Sequence, residues 1–321
     1  MDPSIIEGIK LNEEITVRAY SSSANLGPGF DVLGVALDAF YDDITILLEP
    51  GNGNVAIKRI EGPYAREAGN GSTAVAAVKQ LLEKLKVNNV DVYIEIYKGI
   101  PPGRGLGSSG ASAAGAVKAA SIAFGDIGSL ETLIEAAGYG EIEAAGSPHY
   151  DNVAASLLGG LVIVAQSKNG IRATSIPLDA WFTVIVPMNP VPPGKTGIMR
   201  SVLPKTVTLT KAALNWSRLA MLVAAAFNGD LKTLGEMMSQ DDIVEPARSR
   251  FIKCYSELKS TLLGKGGALG FAISGAGPAM IALAQDRGHA GELADLSLDS
   301  CKWDIDPIIK TAHTAMSAHE I

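Results

Sequence analysis

Two hydrophobic periods alternate along the chain. Ile15 to Ser21 and Val90 to Tyr97 change between apolar and polar residues at every second position, as strands with one wet face do. Tyr41 to Leu48 and Val55 to Ile60 read as a hairpin joined by Pro50-Gly51-Asn52-Gly53. Between Ser72 and Leu85, Val75, Val78, Leu81, Leu82 and Leu85 recur at helical spacing, with Ser72 available as a cap. Ala111 to Phe124 is a Pro-free run of small residues and predicts a buried helix. Leu130 to Glu143, capped by Ser129, and the short Val153 to Leu158 predict two more.

Leu161 to Ala165 and Trp181 to Pro187 are strongly apolar strands, and the Pro-rich segment Pro187 to Gly194 breaks any regular structure. Helices follow at Leu209 to Phe227, Leu231 to Met238 and Ser249 to Leu263. Strands return at Leu269 to Ile273 and Met280 to Ala284, hinged on Gly275-Ala276-Gly277-Pro278. This order predicts two α+β modules sharing a cleft, with a boundary near Leu158, hence 1–158 and 159–321.

The segments that break both periods are where chemistry concentrates. Pro101 to Ser112 reads Pro-Pro-Gly-Arg-Gly-Leu-Gly-Ser-Ser-Gly-Ala-Ser between a strand and a helix. Glycines there let backbone N–H groups approach an anion, and the helix dipole favours negative charge. Ser108 and Ser109 can cap the helix or touch a phosphate or its metal. No Lys follows as a Walker A loop requires, and no second strand leads to Asp126 as a dinucleotide fold requires. Ser22 to Asp31 and Ser147 to Asn152 read as two further polar loops.

Composition narrows the field. Of 321 residues, 47% are hydrophobic and 19% charged, which indicates a folded globular protein. A formal charge of −7 with no Lys/Arg cluster argues against a nucleic-acid surface. No 18-residue apolar run exists, which argues against a membrane span. The acidic N-terminus is no signal peptide. Cys254 and Cys301 are expected as core thiols, and the cytoplasm is the expected compartment.

Pro101 with Gly105 to Ser112, Ser22 to Asp31 and Gly270 to Pro278 together resemble, in the same order, three sequence blocks of the GHMP small-molecule kinases. Within that family the likeness is to the members that phosphorylate homoserine. The resemblance implies an N-terminal ribosomal-protein-S5-like module and a C-terminal ferredoxin-like α+β sandwich, with a last strand, about 308–313, returning to the first module. It also implies ATP and Mg²⁺ as cofactors, L-homoserine as the small-molecule substrate, a role in threonine biosynthesis, and a homodimer.

Residue by residue, the resemblance gives nucleotide binding to Pro101, Pro102, Gly103, Arg104, Gly105, Leu106, Gly107, Ser108, Ser109, Gly110 and Ala111. Glu141 and Ser109 take the metal. Asn25, Asp31, His149, Thr196, Arg200 and Arg248 match the substrate contacts. An amino-acid alcohol is a zwitterion, so a carboxylate (Asp31) should meet its ammonium and Arg forks (Arg200, Arg248) its carboxylate. Asn152 positions the reacting hydroxyl, with Asp151 as a competing general base. A kinase of shikimate or a mevalonate-type alcohol, which brings no ammonium to Asp31, and a non-catalytic nucleotide sensor are the alternatives.

Overall fold

The computed structural model describes residues 8–321, with backbone alone over 143–145. The first residues of the acidic N-terminus, read as no signal peptide, lie outside the described residues.

The first sheet is built on β1 (Glu14–Asn25) and β2 (Gly29–Pro50), a long antiparallel pair. Strand pairing therefore runs into the segment expected as a loop from Ser22 to Asp31, leaving only a tight turn at 26–28. β4 (Val90–Lys98) pairs antiparallel with β2 and parallel with β3 (Val55–Glu61). The hairpin expected between 41–48 and 55–60 is therefore absent. Instead α1 (Ser72–Leu85) crosses over from β3 to β4 as a βαβ unit. Alternation reports which face of a strand is wet, not which neighbour it takes.

Three helices complete the module: α2 (Ser108–Ala123), α3 (Leu130–Ala145) and α4 (Tyr150–Leu158). The small residues of α2 let it lie close on the sheet. A Cβ on Gly115 would sit 2.6 Å from the Ile44 side chain. β5 (Leu161–Ser167) pairs with β2, and β6 (Gly170–Ile176) with β5, so both belong to the first sheet. The change of sheet falls after 176, not at the expected 158.

The second sheet is antiparallel, in the order β10 (Ile308–His313), β7 (Trp181–Val186), β9 (Met280–Ala284), β8 (Gly270–Ile273). Residues 308–313 thus stay in the second module. The strand that returns to β1 is the short β11 (His319–Glu320). Around this sheet lie α5 (Lys195–Ser201), α6 (Leu209–Asn228), α7 (Leu231–Met238), α8 (Glu245–Arg248), α9 (Tyr255–Leu263) and α10 (Arg287–Asp299). The helix expected over 249–263 is interrupted because Cys254 takes a left-handed φ of 61°. Cys254 and Cys301, expected as free thiols, form a disulfide with Cα atoms 5.9 Å apart. Their separation of 47 residues carries no information about that distance.

Candidate active site

A solvent-open cleft lies between the modules, with the Gly-rich loop at one end and Asp31, His149, Arg200 and Arg248 at the other.

The loop is shaped by left-handed glycines at 103, 105 and 107, with φ of 70°, 85° and 64°. A Cβ on Gly105 would lie 2.3 Å from the Ser274 carbonyl oxygen, so a side chain has no room there. Ser274 Oγ donates to Gly105 O at 2.7 Å, and Ala279 N donates to Arg104 O at 2.9 Å. The third glycine block is thereby fastened to the Gly-rich loop across the modules. Gly107, not a serine, is the N-cap of α2, and no side chain caps that helix. Its N-terminus therefore opens towards the cleft as an anion site. Ser108 lines the cleft, with its Oγ donating to Ile100 O at 2.9 Å.

Beneath the loop lies a buried network that the sequence reading missed. Lys98 Nζ donates to the Asp42 carboxylate, to Ser108 O (2.8 Å) and to Ser112 Oγ (2.7 Å). The other Asp42 oxygen accepts the amides of Gly99 and Ile100, both at 3.0 Å. Fully enclosed, this pair ties the end of β4 to the first turn of α2.

Glu141 is 2% exposed, and its Oε1 has no hydrogen-bond partner among the described residues. Burial pushes its carboxyl up to about 7, opposed first by the neighbouring Ser109 hydroxyl. Among the described residues no group of three or more His, Cys, Asp or Glu could hold a metal by itself. An orphaned carboxylate beside a hydroxyl at the phosphate end fits Mg²⁺, which takes one or two protein oxygens and fills its shell from phosphates and water.

At the far end, Asp31 holds φ 57°, and Arg200 Nη2 lies 3.0 Å from each of its carboxylate oxygens. Arg248 is 3% exposed, donates to Met199 O and Gly275 O, and is pushed down to about 10 by burial. Both guanidinium groups lie over the ring of Phe30. Asn25 Nδ2 donates to Gly275 O at 3.0 Å, and its Oδ1 accepts the Asp31 amide. His149 Nε2 is buried without a partner, and burial followed by the Arg200 charge lowers its pKa, which favours the neutral ring. Thr196 lines the same end from the first turn of α5.

Between the two ends stand Asp151 and Asn152. Asp151 is 3% exposed and accepts from Asn152 N at 2.9 Å; burial, then the Asp31 charge, push its carboxyl up to about 7. Asn152 Oδ1 accepts from Ser22 Oγ at 3.0 Å and faces Gly107. Every residue expected at the substrate, the metal and the reacting hydroxyl thus lines one cleft. Four of the expected nucleotide contacts do not: Pro101, Arg104, Gly110 and Ala111. Arg104 turns away to donate to Pro187 O and Asn189 O, while Gly110 and Ala111 are buried in the first turn of α2. An apolar extension of the cleft, lined by Ile60, Ala68, Ala74 and Ile96, also escaped the sequence reading. In sequence such residues are indistinguishable from core.

Comparison with known proteins agrees with this geometry. The GHMP kinases N terminal domain matches residues 72–160, and the GHMP kinases C terminal matches 222–295. A homoserine kinase of Aeropyrum pernix is 50% identical over 303 residues, 94% of this chain and 96% of that one. The chain belongs to the GHMP kinases. A homoserine kinase of Saccharolobus solfataricus is 37% identical to this GHMP kinase over 88% of its length and 90% of the relative's. Among solved structures, homoserine kinase from Cytophaga hutchinsonii superposes with a TM-score of 0.85 at 32% identity, covering 96% of this GHMP kinase and 97% of that chain. Mevalonate kinase of L. major, at 18% identity and a TM-score of 0.68, shares the fold. The two sheets are the α+β modules of that family, so this GHMP kinase is an ATP-dependent kinase acting on an alcohol.

Proposed function

We propose that this enzyme transfers the γ-phosphoryl group of ATP to the side-chain hydroxyl of L-homoserine, giving O-phospho-L-homoserine and ADP. One observation carries the substrate assignment: Asp31 and Arg200 satisfy each other across the cleft, with Arg248 beside them. A free amino acid offers the same two charges in opposite order, so its ammonium can take Asp31 and its carboxylate the guanidinium groups. The close homoserine kinase relatives support the same reading.

The triphosphate lies along Gly103 to Ser109 at the mouth of α2, and the base enters the apolar extension formed by Ile60, Ala68 and Ile96. Glu141 and Ser109 would hold Mg²⁺, which neutralises charge on the phosphates. The homoserine hydroxyl, held by Asn152, attacks the γ-phosphorus in line. The new O–P bond forms as the bond to the β-phosphate oxygen breaks, ADP leaves, and the hydroxyl proton passes to a phosphoryl oxygen. A loose transition state needs little prior deprotonation. Asp151 supports this route by holding the Asn152 amide rather than acting as the base.

ATP consumption and amino-acid biosynthesis support a cytoplasmic enzyme serving threonine synthesis. No helix among the described residues is long and apolar enough to cross a membrane. The family resemblance supports a homodimer, which sedimentation tests. The function itself is tested by coupled ADP release over homoserine, shikimate, mevalonate and galactose. Turnover on homoserine alone is expected. Turnover on another alcohol, or on none, overturns the reading.

A further inference from the structure

The Gly-rich loop carries no lysine of its own, yet a phosphoryl group in transfer needs positive charge beside it. Of the cations near this loop, Lys98 is committed to Asp42 and Ser112, and Arg104 is turned away towards the carbonyls of Pro187 and Asn189. Arg200 is paired with Asp31, and Arg248 sits with it over Phe30 at the substrate end. One more cation lines the cleft, Lys195, at the start of α5 in the other module.

Among the described residues its ammonium donates only to neutral partners, Ala276 O at 3.3 Å and Gly277 O. Gly277 O is also the atom that a Cβ on Gly105 would meet at 2.8 Å, so the ammonium reaches the middle of the Gly-rich loop. Its electrostatic neighbours lie on both sides of the cleft: Arg104 on the loop, Arg248 and His149 at the substrate end. That is the ground a phosphoryl group crosses on its way from nucleotide to acceptor. Two carbonyls occupy two of the three N–H donors and leave the charge uncompensated.

We infer that Lys195 is the phosphate-binding cation of this site, reaching from the second module to contact the γ-phosphoryl oxygens of the bound nucleotide. The inference deepens the kinase reading above and rests on it. Burial, then the Arg248 and Arg104 charges, push the ammonium down to about 7. An arriving phosphate reverses that balance by supplying the missing anion. The contact also links the nucleotide to the substrate end, because α5 carries Thr196 and Arg200 on the same short helix.

The test compares Lys195→Met and Lys195→Arg with the wild type in two ways. Calorimetry measures binding of ADP and of a non-hydrolysable ATP analogue, and steady-state kinetics measures kcat and both KM values. For Lys195→Met, the analogue should weaken about tenfold more than ADP, and kcat should fall roughly a hundredfold, as for loss of one preorganised donor to a developing charge. The homoserine KM should move less than about threefold, since uniform substrate binding is untouched. Lys195→Arg should recover most of the preference for the analogue over ADP, which also covers the case of a Met variant that folds poorly. Equal weakening of ADP and analogue, no change in either, or a change confined to the homoserine KM overturns the inference. If wild type binds nucleotide but phosphorylates no amino-acid alcohol, the substrate reading fails, and the ratio of analogue to ADP binding still decides Lys195.

Discussion

Arg200 places one guanidinium nitrogen 3.0 Å from both carboxylate oxygens of Asp31, 169 residues earlier in the chain. The pair is solvent-accessible, with side chains 39% and 44% exposed, so it contributes little to stability. Its meaning is chemical: each partner is held where half of a zwitterion would replace the other.

Arg200→Leu should therefore raise the homoserine KM by about a hundredfold or more, as expected when a charged hydrogen-bonding partner is lost, and leave the ATP KM within about threefold. Initial-rate kinetics with each substrate varied checks this. Comparable damage to both KM values would remove Arg200 from the substrate end.

Glu141→Gln should shift the Mg²⁺ concentration for half-maximal rate upward by about tenfold and be partly rescued by excess metal, since a neutral amide is a weaker ligand to a hard cation. An unchanged Mg²⁺ titration would mean that the orphaned Glu141 oxygen serves something other than a metal.

Asp151 gives a pH dependence of stability. Its carboxyl is raised from an ordinary 3.8 to about 7 by burial, so the folded state holds a proton that the unfolded chain releases. The contribution of Asp151 to stability should be fully present below about pH 4 and be lost as pH rises towards about 7. Asp151→Asn should flatten that slope, measured as Tm against pH, and should keep kcat within about tenfold. A loss of roughly a thousandfold would instead mark Asp151 as the general base.

Lys98→Met should destabilise the protein by about 3–5 kcal/mol in denaturant titration, because Asp42, 0% exposed, would be left charged and unpaired. Replacing both partners, Lys98→Met with Asp42→Leu, should recover part of that loss. A single substitution that costs less than about 1 kcal/mol would show that the pair is not what fixes the end of β4.

The three Gly-rich or polar segments were legible because they interrupt strong periodic patterns, and Asp31, Arg200 and Glu141 could be marked from short motifs. Helix α2 was legible for the same reason, its small residues being what a close approach to Ile44 demands. Pairing was not. Nothing in residues 41–60 says that β4 will lie between β2 and β3, since the two candidate strands look alike to a nearest-neighbour hairpin. Lys195 and Lys98 were invisible for a related reason. A lysine reads as a solvated residue until the fold closes carbonyls or a carboxylate around it, and those partners lie far away in sequence: Gly277 for Lys195, Asp42 for Lys98. The disulfide between Cys254 and Cys301 likewise depends on α9 and α10 being neighbours.

The most direct measurement of the central idea is kcat/KM for L-homoserine against two truncated alcohols, 4-hydroxybutyrate without the ammonium and 3-aminopropan-1-ol without the carboxylate. A site that reads both charges of the amino acid should reject each by about a hundredfold, as when a charged hydrogen-bonding partner is lost. If either truncated alcohol is phosphorylated within about tenfold of homoserine, Asp31 and the two arginines do not read an amino acid, and the assignment fails.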